Sequence, residues 1–159
     1  MLGWVAPNKD LIALLISLLA LVIGLATVLI AVRQARLDTY ARMHESLVQH
    51  TAAHGRKLLF LAWRDGQFPG TADADWDQIN HALALYDTLG TYVRRRLVPR
   101  RLVLAAWHKQ LLAIEKAAEA FQEHRRSLGI SQPWVGLGYL FVKASGYSRG
   151  FWRRRSALT

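Results

Sequence analysis

One run limits what this chain can fold into more than any other: Leu11 to Val32, "LIALLISLLALVIGLATVLIAV", 22 consecutive residues without a charge. Wound as an α-helix it reaches about 33 Å, enough to cross a hydrocarbon layer of roughly 30 Å. A helix is also a form in which a backbone satisfies its own hydrogen bonds in lipid. A cleaved secretory leader has a shorter apolar stretch, about 7–15 residues, behind a basic segment and ahead of a small-residue cleavage site. Here only Lys9 precedes the run, offset by Asp10. The expectation is a retained transmembrane helix over 11–32, with Asn8 capping its start and Arg33 closing the apolar run.

The flanks suggest an orientation. Lys9 stands alone before the span, whereas Arg33, Arg36 and Arg42 follow it closely. The positive-inside tendency then places the C-terminal part in the cytoplasm and residues 1–10 outside as a short tail, where Trp4 can sit at the membrane interface.

Within the span the small residues fall in a pattern. Ala13, Ser17, Ala20, Gly24, Thr27 and Ala31 recur at steps of 4, 3, 4, 3 and 4; Ala26 is off the series. A 3-4 repeat keeps positions on one seam of a helix pair. Small residues let two backbones approach closely in lipid, where helices gain no hydrophobic drive from association. The seam therefore points to a partner helix, either a second copy or another membrane protein. Ala and Gly are common in membrane helices in any case, which is the bland alternative.

Beyond the span the pattern is helical throughout. Leu37, Tyr40, Met43 or His44, and Leu47 continue the apolar spacing, so the membrane helix is expected to run on as one rod, with Gly55 ending or interrupting it. "KLLFLAWR" is short and apolar, and "DGQFPGTADAD" reads as a loop. Asp73 or Asp75 can cap the next helix, with Gln78 three residues after Asp75 as in a capping box. Trp76, Ile79, Leu83, Tyr86, Leu89, Val93 and Leu97 trace one face of that helix. After Pro99, Leu104, Trp107, Leu111, Ile114, Ala118 and Phe121 trace another, with Gly129 placed to terminate it. The tight link "LVPR" predicts that these two helices pack as an antiparallel hairpin. "PWVGLGYLFVKASG" is too short to span; it either lies in the membrane interface or packs as a last core helix. The tail "YSRGFWRRRSALT" is expected to be poorly ordered unless something binds it.

The fold class is therefore all-α. A single N-terminal transmembrane helix continues into a small cytoplasmic helical hairpin or bundle. The expected segments are 1–10 as outer tail, 11–32 as span and 33–70 as helical extension and loop. The hairpin domain with its short apolar helix covers 71–146, and a basic aromatic tail covers 147–159.

The span with its basic exit, "LYDTLGTYVRRRLVPRRLVLAAWHKQLLAIEKAAEAFQEHRR" and the closing "PWVGLGYLF" resemble an uncharacterised family of short bacterial proteins. Its members have one N-terminal membrane helix and a small helical cytoplasmic domain of unknown function. The resemblance rests on pattern. It implies the architecture and an inner (cytoplasmic) membrane location, and brings no activity or catalytic residue.

Several groups of polar residues have the spacing of known chemical sites only in part. His50 and His54 in "HTAAH" share a helix face, but Thr51 stands where a zinc protease needs Glu, and no third ligand is evident. "DADWD" begins like a calcium loop, yet has Gln78 at the sixth position and Ala84 at the twelfth, so its acids read as favourable charge at a helix start. Glu115, Glu119 and Glu123 form a solvated face rather than an acid–base pair. Gly136-Leu-Gly138 lacks the Lys-Ser/Thr of a phosphate loop. Without Cys there is no disulfide, thiolate metal site or Cys nucleophile. No cofactor and no metal are expected.

Charge carries more. Residues 91–159 hold fourteen of the 21 Lys and Arg and only three of the 11 acids. Arg94, Arg95, Arg96, Arg100 and Arg101 gather at one helix–helix corner, and Arg153, Arg154 and Arg155 follow the interfacial anchor candidates Phe151 and Trp152. Such clusters contact anionic surfaces. In a chain already tethered to a bilayer, anionic lipid headgroups come first, then an acidic protein face, and nucleic acid is a distant third. The expected function is a non-enzymatic accessory or adaptor subunit of a larger membrane assembly, docking through the seam and the basic helices. The alternatives are a homo-oligomeric membrane effector or sensor and a membrane-tethered nucleic-acid binder.

Overall fold

The computed structural model describes the backbone of residues 6–155 and the side chains of residues 11–147. It is all-helical. In chain order the elements are α1 (Ala6–Val48), α2 (His50–Asp65), α3 (Ala74–Arg94), α4 (Arg100–Ser127) and α5 (Val135–Arg155). No strand occurs among the described residues. The chain divides into two compact units after Leu37.

The first unit is a length of α1 on its own. Every side chain from residue 11 to residue 37 is exposed. The Leu, Ile and Val residues between 11 and 32 keep 45–69% of their surface. A helix apolar on all sides needs either a protein core around it or lipid. One helix among the described residues is long and apolar enough to cross a membrane, and none of its most apolar window is buried in the chain itself. The backbone of α1 is described from Ala6, and the side chain of Asn8, the expected cap, lies outside the described residues.

The second unit, from Asp38 on, is a bundle. Its core takes Leu47 from the end of α1, Leu59 from α2 and six residues from Trp76 to Val93 on α3. It adds Val103 to Phe121 on α4 and Leu137, Leu140, Phe141 and Ala144 on α5. Each residue of the two apolar stripes read from α3 and α4 is buried except Leu97, which lies beyond the end of α3 and is 47% exposed. The all-α expectation holds.

Packing departs from expectation where distant segments meet. α3 and α4 follow one another, but their backbones stay apart and they meet through core rings, Trp76 with Phe121 at 5.0 Å and Tyr86 with Trp107 at 6.0 Å. Each packs mainly on α2 and α5, which flank them, so the expected antiparallel hairpin is instead a bundle of four helices. Glycines open these crossings. A Cβ on Gly55 would strike the Gln78 carbonyl oxygen and come within 2.9 Å of the Ala82 Cβ. Gly55 therefore seats α2 on α3 and does not break a helix. The break after α1 falls at Gln49, whose φ −52°, ψ 148° is extended backbone.

Two local expectations also change. Asp73 is the N-cap residue of α3, but its carboxylate accepts from the Gly70 N–H at 2.7 Å rather than from its own helix. Gln78 makes no capping box; its Oε1 accepts from His54 Nδ1 at 2.6 Å and ties α3 to α2. In "WVGLGYLFV" the residues from Val135 on belong to the core helix α5, whose backbone is described as far as Arg155. Asp87 on α3 caps α5 from outside, accepting from the N–H groups of Gly136 at 2.7 Å and Leu137 at 3.0 Å. A carboxylate at a helix start satisfies orphan donors and meets the positive end of the helix dipole.

Candidate anionic-surface contact

The seam residues Ala13, Ser17, Ala20, Gly24, Thr27 and Ala31 are all exposed on α1. Ser17 Oγ donates to the Ala13 carbonyl at 2.9 Å and Thr27 Oγ1 to the Ile23 carbonyl at 2.8 Å, so both hydroxyls are satisfied within the helix. What the seam offers a neighbour is close backbone approach rather than polar glue. A Cβ on Gly24 would meet nothing within 4 Å.

The basic corner forms where α3 stops and α4 starts. Arg94 is the last residue of α3 and Arg95 its C-cap. Arg96 follows in the left-handed conformation, φ 61°. Its N–H donates to the Val93 carbonyl at 3.1 Å, and the Leu97 N–H to the Tyr92 carbonyl at 2.9 Å. This is a Schellman closure. α2 and α4 close in the same way, but with Gly66 (φ 69°) and Gly129 (φ 81°) in the left-handed position. Only at the basic corner does a side chain occupy it, at a conformational cost of about 1 kcal/mol. Val98, 1% exposed, pins the turn to the core, and Pro99 precedes α4. Arg94, Arg95, Arg96, Arg100 and Arg101 all remain exposed. Among the described residues none of the five has a carboxylate within ion-pair reach; the ion pairs there are Arg64–Asp65 at 2.8 Å and Arg126–Glu123 at 2.7 Å.

The structure adds residues that spacing did not single out. Arg100, Arg101 and Leu104 of α4 share a cleft of about 370 Å³ with Val142, Lys143, Gly146 and Tyr147 of α5. The Tyr147 ring rests 5.1 Å from His108, whose Nδ1 bonds the Leu104 carbonyl at 2.9 Å. Lys143 Nζ stands 5.3 Å from the centre of the Tyr139 ring. The signal available in the sequence was the i, i+4 spacing of Tyr139, Lys143 and Tyr147, once the segment is read as one helix. Arg153, Arg154, Arg155, Phe151 and Trp152 belong to the backbone of α5, but their side chains lie outside the described residues, as does Trp4 altogether.

The other polar groups serve the fold. The His50 and His54 rings stack with centres 6.0 Å apart, and no group of three or more metal-capable side chains occurs among the described residues. Tyr86 Oη, Trp107 Nε1 and His44 Nδ1 are buried without hydrogen-bond partners. Burial pushes the Tyr86 hydroxyl up to about 12, against the opposing pull of the Arg56 charge. Arg125, 8% exposed, lies 4.2 Å over the Trp134 ring, and burial lowers its pKa from the usual guanidinium value. A cation on an aromatic face recovers part of the lost hydration.

No known protein family, curated protein or solved structure matches this chain.

Proposed function

We propose that this chain is a single-span protein of a bacterial inner membrane, with its N-terminus outside and its helical domain in the cytoplasm. In this reading it acts as a non-enzymatic accessory subunit of a larger membrane assembly. One observation carries the reading. The apolar length of α1 buries none of its large side chains within the chain, while the unit from Asp38 on, which includes the last turns of α1, closes a core of its own. The exposed helix is thus free to pack on lipid and on another helix, and the seam is the face suited to close approach. The resemblance to short bacterial proteins with one membrane helix agrees with this architecture, and the three Arg after the span agree with the orientation.

The test is purification of the tagged chain in mild detergent, followed by native mass analysis, with Gly24→Leu alongside. A Cβ at Gly24 meets nothing within the chain, so the substitution reads association and not folding. The expected result is a defined hetero-complex that the variant loses. A complex made only of copies of the chain replaces the accessory role with a homo-oligomeric effector or sensor. Assembly unaffected by Gly24→Leu removes the seam.

A further inference from the structure

We infer that the cleft between α4 and α5 is a phosphate-binding site, filled by the headgroup phosphate of an anionic phospholipid. This rests on the membrane placement proposed above and goes further by naming one site and its ligand chemistry.

Three basic residues from two helices line the cleft: Arg100 and Arg101 from the first turn of α4, and Lys143 from α5, whose Nζ stands 5.3 Å from the Tyr139 ring. None has a carboxylate within ion-pair reach among the described residues. The cleft, at about 370 Å³, is of a size for a small ligand rather than a duplex or a folded partner. The first turn of α4 contains no acid and no side chain caps it, so the positive end of the helix dipole adds to the same field. Arginine forks match phosphate oxygens in pairs, and the lysine adds a point charge. Tyr147 lines the cleft with its ring against His108, and Gly146 leaves room, since a Cβ there would meet nothing within 4 Å.

The apolar side chains around the cleft favour a lipid over a soluble phosphate. Val142 lines it while 69% exposed, and Leu102 and Leu97 beside the arginines are 39% and 47% exposed. Exposed aliphatic side chains interleaved with arginine suit the boundary between headgroups and acyl chains. In water they would gain nothing from being there.

The experiment uses the full chain in phosphatidylcholine nanodiscs, with and without phosphatidylglycerol, and in neutral detergent with inorganic phosphate. Lipid retention is read by native mass spectrometry, and occupancy by hydrogen exchange of residues 100–104 and 142–147. Two variants of equal charge loss are compared: Arg101→Gln with Lys143→Gln inside the cleft, and Arg94→Gln with Arg95→Gln outside it. The expected result is selective retention of phosphatidylglycerol with added protection of both segments. The cleft variant weakens it at least about tenfold and the outer variant much less. Protection by inorganic phosphate, abolished by the cleft variant, without phosphatidylglycerol selectivity, keeps the phosphate site and overturns the lipid source. Equal loss in both variants, or no loss in either, overturns the site. None of these outcomes bears on the Gly24→Leu assembly test, which reads the span alone.

Discussion

Gly90 of α3 and Gly136 of α5 meet backbone to backbone. A Cβ on Gly90 would strike the Gly136 carbonyl oxygen and approach its Cα to 2.9 Å; a Cβ on Gly136 would strike the Asp87 carbonyl oxygen and approach Thr91 N to 2.7 Å. The two helices can be this close only because neither carries a side chain at the crossing. The same approach brings the Asp87 carboxylate onto the N–H groups that open α5.

Substitution at this crossing should therefore be costly. Gly90→Ala and Gly136→Ala are each expected to destabilise the bundle by at least about 2 kcal/mol, the range for overpacking against backbone that cannot yield. Gly138, on the same helix, would meet nothing within 4 Å, and Gly138→Ala should instead stabilise by about 0.5–1 kcal/mol through helix propensity. Thermal melts of the full chain in one detergent compare the three. A mild effect at Gly136 would refute the close crossing.

Arg96→Gly should stabilise the bundle by about 1 kcal/mol, because it relieves the left-handed strain that Gly66 and Gly129 avoid at the other two closures. Removing one of five clustered like charges acts in the same direction and is screened by salt. Melts at low and high salt separate the two contributions. A loss of stability on substitution would mean that the Arg96 side chain makes a contact worth more than the strain.

Tyr86 sets an alkaline limit. Its folded pKa of about 12 exceeds the unfolded value of 10.0, so the native state holds the proton more tightly. The stabilisation is fully present below pH 10 and is lost as pH rises through 12, amounting to about 3 kcal/mol. In Tyr86→Phe that part of the alkaline loss should vanish. At neutral pH the variant should be as stable as the wild type or slightly more so, because the buried hydroxyl has no hydrogen-bond partner. Unfolding followed between pH 8 and 12 for both proteins decides it.

Much of the architecture is legible one segment at a time. The apolar run marks α1, and the spacing of Trp76 to Val93 and of Leu104 to Phe121 marks the buried faces of α3 and α4, which the bundle core confirms. Pro99 and Gly129 stand at the two ends of α4 as their chemistry requires. The corner arginines lie exposed where their charge and the surrounding turn leave them. Gly55 and Gln78 misled for one reason. Each has a plausible local role, as helix breaker or as capping box, and each is used instead in a contact between helices.

The sequence by itself determined that this is an all-helical chain with one apolar helix long enough for a membrane, and which face of its central helices is buried. Periodicity, charge and termini act within a few residues, so they survive without knowledge of neighbours. Only the tertiary structure decided that α2 and α5 flank α3 and α4, whose backbones stay apart while their core rings meet. Only it showed that Asp87 caps a helix 49 residues away, and that Lys143 and Tyr147 join Arg100 and Arg101 around one cleft. Those choices turn on which side chains, or which missing side chains, let two distant helices approach. That is a property of pairs of surfaces, and no single stretch of chain contains it.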